Sequence, residues 1–337
     1  MSLFSALGGL FHPRTPPDAA VLAAIERLVD LIDPALRNAG GYVHKLEAPV
    51  HYALGYCAGL VAALPGPVDI NQHAFSSDKL VHALFATASD IALMLGESQA
   101  VRDYLAESAS YDSDELYALL AARRCTKRVL GYVVEGDGIR SDVPQELLYF
   151  TAHTLVETRG NLDAIREGLR TAAFDSLGKN FRAHVDALRE ERSGLLGVRS
   201  MAQAHLTVLR GKTDDEQYAV HTRRIAELDA SLRSAVESLM PEQLLDALAS
   251  NLLRPEQLLR LEPVVLAVDR AGVLADFDGA ASSFPAKEEA KDVRLELCEL
   301  TSRDRRRNVI LLVRFRRDDA AASVEAAKVR RDRFLII

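Results

Sequence analysis

Two heptad series in the middle third of the chain constrain its fold more than any other feature. Phe174, Leu177, Phe181, His184, Leu188, Glu191, Leu195, Val198, Ala202, His205 and Leu209 alternate by three and four residues. That spacing is the a/d repeat of a helix with one continuous apolar seam. Gly211-Lys212-Thr213-Asp214-Asp215 breaks the series, and Tyr218, His221, Ile225, Leu228, Leu232, Ala235 and Leu239 resume it. A short loop between two such helices favours an antiparallel hairpin. At ~1.5 Å per residue its first arm approaches ~70 Å. Gly194 and Gly197 are candidate bends.

The flanking sequence is mixed. A first helix is expected after Thr15-Pro16-Pro17-Asp18, carried by Val21, Ile25, Leu28 and Ile32 and ended by Asp33-Pro34. A second stretch runs from about Gly41 to Leu64, interrupted by Pro49 and stopped by Pro65-Gly66-Pro67. Ser76-Ser77-Asp78 opens an apolar helix to about Leu95, and the capping-box spacing of Asp112 and Glu115 predicts another to about Arg124. Two β-rich runs around Glu135-Gly136-Asp137-Gly138 predict a β-hairpin. The phrase Pro-Glu-Gln-Leu-Leu, at Pro241 and again at Pro255, predicts two short helices. From Val264 onward the period is two, with Arg330–Ile337 as an edge strand. The expected class is α+β, predominantly α. It comprises a helical domain over 1–159 with a β-hairpin near 127–157, a helical hairpin plus short helices over 160–260, and a small antiparallel β-domain over 261–337.

Composition narrows the function classes. With 48% apolar and 26% charged residues, a 337-residue chain is neither mainly disordered nor dependent on disulfide staples. Cys57, Cys125 and Cys298 are far apart with no CxxC, which fits a reducing cytoplasm. The absence of Trp leaves few stacking platforms for nucleic acid, which is not the expected partner. No apolar run reaches the ~20 residues of a membrane span. Leu3, Phe4, Leu7, Leu10 and Phe11 could line a short interfacial helix, or dock on this chain or a partner subunit. The last 46 residues, from Asp292, carry a net charge of +4 (twelve basic, eight acidic), against −11 for the rest. That asymmetry hints at an anionic partner.

Motifs of chemistry are sparse. Gly211-Lys212-Thr213 ends like a phosphate-binding loop, but Leu206 occupies the place of its essential first glycine. His44, Glu47 and His51 share a helical face, and Asp78 with His82, also four apart, could complete a metal site from a facing helix. The competing reading is surface or core histidines, since no HExxH occurs. His205 and His221 fall in adjacent layers of the hairpin, as a pH-sensitive pair or as polar residues that set register. Glu135 and Asp137 are what any hairpin turn needs. Arg303, Arg305, Arg306 and Arg307 crowd one loop and suit phosphate or carboxylate.

The sequence therefore predicts a non-enzymatic cytoplasmic interaction or scaffold protein. It acts through its helical hairpin on a protein partner or a second copy of itself and carries no cofactor. The alternatives are a ligand-responsive regulator whose Arg-rich β-domain meets an anionic partner, and a metal-dependent hydrolase.

Overall fold

The computed structural model describes residues 18–107, 113–135, 138–209, 215–269, 272–274, 293–302 and 307–334. The N-terminal apolar segment, Asp137 of the hairpin turn, and Arg303, Arg305 and Arg306 lie outside them. Two compact units form, Met1–Tyr56 with Phe174–Pro255, and Cys57–Ala173 with Glu256–Ile337.

The first unit is helical. Helix α1 (Ala19–Ile32) begins at Asp18, whose carboxylate accepts from the Ala20 amide, and turns at Asp33 into a 3-10 segment, Pro34–Asn38. Helix α2 (Tyr42–Ala62) runs unbroken through Pro49, so the proline removes one hydrogen bond without ending the helix. Helix α7 (Leu162–Leu209) is continuous for 48 residues, of which those from Phe174 belong to this unit, and is followed by α8 (Asp215–Ser238) and α9 (Pro241–Leu252). Val21, Ile25 and Leu28 bury the inner face of α1, and Phe174, Leu177, Phe181 and Val185 that of α7. Gly178 lets α1 and α7 approach, since a Cβ there would lie 2.7 Å from a Leu28 methyl. Arg27 grips Asp175 at 2.7 Å, and Arg189 pairs with Asp33.

The hairpin follows the heptads on one arm and departs from them on the other. On α8, Leu228, Leu232 and Ala235 are buried, and Tyr218, His221, Ile225 and Leu239 half-buried. On α7 the half-buried residues are Leu195, Arg199, Ala202 and Leu206, while Val198 and His205 are exposed. Leu195 and Ala202 thus hold their expected places, and only the alternate positions shift by one residue, from Val198 to Arg199 and from His205 to Leu206. Arg199 meets Asp229 at 2.5 Å, which fixes the antiparallel register.

The second unit is built on a sheet. Its strands are β1 (Val68–Asp69), β2 (Glu115–Glu135), β3 (Gly138–Arg159), β4 (Leu259–Val268), β5 (Val293–Ser302) and β6 (Arg307–Arg316). Their order is β3-β2-β6-β5-β4, all antiparallel, with β1 parallel to β6. One face carries Leu116, Ala118, Leu120, Val309, Leu311, Val313, Leu295 and Leu297 in the main core. Packed there are α3 (Gln72–Ser77), α4 (Lys79–Leu84), α5 (Ala88–Glu97), α6 (Gln99–Ala106) and α10 (Arg317–Phe334). The other face buries Leu312 with Val61, Ile165 and Leu169. Arg314 holds β1 by two bonds to Asp69, 2.6 and 3.0 Å, which lowers the carboxyl's pKa against its ordinary value.

Several expectations are corrected. Residues 115–124 are strand, not helix. The even residues of Leu116–Ala122 are buried in the main core while Tyr117 and Leu119 pack on the opposite face, and a segment apolar on both faces is what a central strand requires. The hairpin accordingly starts twelve residues earlier than expected, and β4, β5 and β6 share its sheet. The single helix expected to reach Leu95 is three, α3 to α5, because Asp78 caps α4 and Thr87 with Asp90 forms a capping box for α5. The second Pro-Glu-Gln phrase makes only a 3-10 turn, Pro255–Gln257, before β4 begins. The expected C-terminal edge strand is helix as far as Phe334. Ala320, Ser323, Val324 and Ala327 bury one face of α10, and at Gly96 of α5 a Cβ would lie 2.4 Å from the Ser323 carbonyl oxygen.

Candidate functional site

Strand register assembles a basic surface at one end of the sheet. Arg260, Thr301 and Arg307 stand opposite one another on β4, β5 and β6. The next row is Glu262, Glu299, Val309 and, on β2, Ala122. Partners in register share a face, and so do residues two apart on a strand. Arg124 therefore joins this face, and its Nε lies 2.5 Å from Glu299 Oε1, an ion pair without hydrogen-bond alignment. Glu299 is only 5% exposed. Arg260 pairs with Glu262 at 2.7 Å. Three arginines thus face two carboxylates. Arg307 is exposed and has no ion-pair partner among the described residues.

The opposite face at the same end adds Arg123 and Lys127, both exposed, flanking Cys125. Tyr149 and Thr151 of β3 stand opposite Cys125 and Arg123. This end can therefore bind anions on either face, with an aromatic beside two of its cations. Of the four arginines expected to do so, only Arg307 is described. Sequence reasoning missed Arg123, Arg124, Lys127 and Arg260. The doublet Arg123-Arg124 was the available signal, because neighbours on a strand point to opposite faces.

The expected metal ligands are not brought together. The exposed His44 sits 3.8 Å from the half-buried Glu47, and His51 is exposed one turn farther on. Asp78 and His82 belong to the other compact unit. Asp78 is occupied in capping α4, at 2.7 Å from the Leu80 amide, and the His82 ring lies tilted on Phe75 with centroids 4.9 Å apart. Among the described residues no three His, Cys, Asp or Glu side chains converge on a metal position. His205 and His221 do meet, with ring centroids 6.0 Å apart, edge to face.

His153 is stacked on Phe85 and its Nε2 donates to the Leu84 carbonyl at 2.7 Å. Burial lowers its pKa, opposed by that bond and by Asp90. Burial also pushes the Cys57 thiol up to about 11, far from a reactive thiolate. A cleft of about 440 Å³ between α3, α5 and α10 presents Asn71, Ser89 and Asp319 above Ile91 and Leu95. It holds no paired acid and base among the described residues. No helix among the described residues is long and apolar enough to cross a membrane. Comparison with protein-family models, with curated proteins and with solved structures finds no match.

Proposed function

We propose that this chain is a non-enzymatic cytoplasmic interaction protein that presents its α7–α8 hairpin to a protein partner or to a second copy. The supporting observation is the state of the hairpin's outer half. From Ser200 to Val208 and from Glu216 to Glu227, none of the residues whose side chains are described is fully buried. Met201 and Val208 are 64% and 65% exposed there. A two-stranded arm whose seam stays half open, with aliphatic side chains in water, has surface left to cover. His221 lies half-buried in the seam, and the exposed His205 ring meets it edge to face. The test is light scattering on a sizing column with cross-linking and peptide mapping of the same peak. A dimer or a complex cross-linked through α7 or α8 supports the proposal; a strict monomer with no cross-link from either helix removes it.

A second reading rests on the basic sheet end, where Arg123, Lys127 and Arg307 lack carboxylate partners among the described residues. It makes the chain a regulator that contacts an anionic partner there. Titration with an acidic peptide at low and moderate salt tests it. Saturable binding lost in Arg123→Ser/Lys127→Ser supports it, and no binding at low salt removes it.

A further inference from the structure

We propose that a groove along one side of the hairpin is the docking surface for a second copy of this chain, groove against groove. This deepens the interaction reading and rests on it. The groove, about 650 Å³, follows the seam between α7 and α8. Leu232 forms its floor. Leu196 of α7, Val236 of α8 and Met240 at the start of α9 form its walls, and these three are between 44% and 48% exposed. Leu232 and Val236 lie four residues apart on α8, one helical turn from each other, and Met240 continues the apolar lining from the start of α9. The Arg199–Asp229 pair closes the far end of the stripe.

The rim identifies the occupant. Arg192, Arg233 and Glu237 stand around the stripe, two cations and one anion. A strongly acidic or strongly basic partner would be matched by a rim of one sign. A rim of both signs is matched by itself: in a two-fold contact residue i meets j and j meets i, so each copy's arginines can face the other's Glu237. Two hairpins laid together also form four helices around one core, which is the arrangement that covers seams left half open in a two-helix arm.

The experiment uses the full-length chain in sedimentation equilibrium over two decades of concentration. The expected result is a concentration-dependent dimer, with Leu196→Glu raising its midpoint about tenfold or more. Arg192→Glu/Arg233→Glu and Glu237→Arg each weaken the dimer alone, and their equimolar mixture restores it as a heterodimer. A dimer indifferent to Leu196→Glu and to both charge reversals overturns the groove while leaving the interaction reading intact. A monomer at every concentration also overturns it, and the wider reading then stands or falls on cross-links from α7 or α8 to another protein. Should Leu196→Glu lose helical circular dichroism, a mixture of Leu196→Cys and Val236→Cys copies with a short bismaleimide replaces it. A cross-linked pair bridging those two positions supports docking, and its absence overturns it.

Discussion

Removing Arg124 tests how the basic end of the sheet is held. Its partner Glu299 is 5% exposed, and the guanidinium Nε 2.5 Å away is the one cation placed against that carboxylate among the described residues. Arg124→Met keeps much of the side chain's apolar stem and deletes the charge. It leaves a buried carboxylate without a counter-ion, for which the usual cost is about 3–5 kcal/mol. The Arg124 side chain is itself 28% exposed, so water admitted at its place relieves part of the cost, and about 3 kcal/mol is expected. Glu299→Leu in the same chain removes the orphaned charge. The double variant should recover at least ~2 kcal/mol, because an apolar pair of similar volume is often no worse than a buried ion pair. The assay is urea unfolding followed by far-ultraviolet circular dichroism, since the chain has no Trp to report by fluorescence. The four corners of the mutant cycle give the coupling. A single-variant cost below ~1 kcal/mol, or a double variant no more stable than Arg124→Met, would refute the reasoning.

Three other outcomes follow from local geometry. Gly96→Ala forces a methyl to within 2.4 Å of the Ser323 carbonyl oxygen on α10, so a loss of about 1–3 kcal/mol is expected, read as a lower Tm. His153 has a pKa below its ordinary 6.5 in the folded chain, so its contribution is fully present above pH 6.5 and is lost as pH falls from there through the folded value. His153→Gln should flatten that part of the stability–pH curve, and an unchanged slope would count against burial as the cause. Cys57, pushed up to about 11 by burial, should resist maleimide in native protein at pH 8 and react in urea, as peptide mass spectrometry can establish.

The parts of the fold legible in the sequence are those whose local preference and tertiary setting agree. The α8 series qualifies, since every member of it is buried or half-buried. The α7 series holds at Leu195 and Ala202 in its outer half and moves by one residue at Val198 and His205. An α-helix drifts about 20° per heptad against a strict seven-residue repeat, so a long series does not keep every position on one face. Arg199 and Leu206 thereby replace Val198 and His205 on the inside. The segment Glu115–Arg124 misleads because Leu, Ala and Arg prefer helix, and pairing with β6 overrides that preference. The basic sheet end was legible only at Arg307. Its other members come from strands more than a hundred residues apart in sequence, and no local pattern announces a register.

The sheet's own edges bear on the proposed self-association. An open sheet offers unpaired strand edges to a second copy, and here these include β3, β4 and the part of β2 beyond Ala122, where its pairing with β6 ends. Three register shifts interrupt the β2–β3 pairing, and beside them Asp142, Ala152 and Glu157 take positive φ values of 62°, 53° and 53°. Each bulge twists the edge and breaks its run of evenly spaced donors and acceptors. Val273 also bridges β3 at Leu147, and β4 carries Pro263, which has no amide proton to donate. β3 and β4 are thus poor templates for a further strand. The bulges also carry a cost that can be measured. A non-glycine residue in the left-handed region is destabilised by about 1–2 kcal/mol, part of which glycine recovers. Ala152→Gly is therefore expected to stabilise the chain by about 0.5–1 kcal/mol with the bulge retained, and a loss of stability of that size would show that Ala152 does not hold a left-handed bulge.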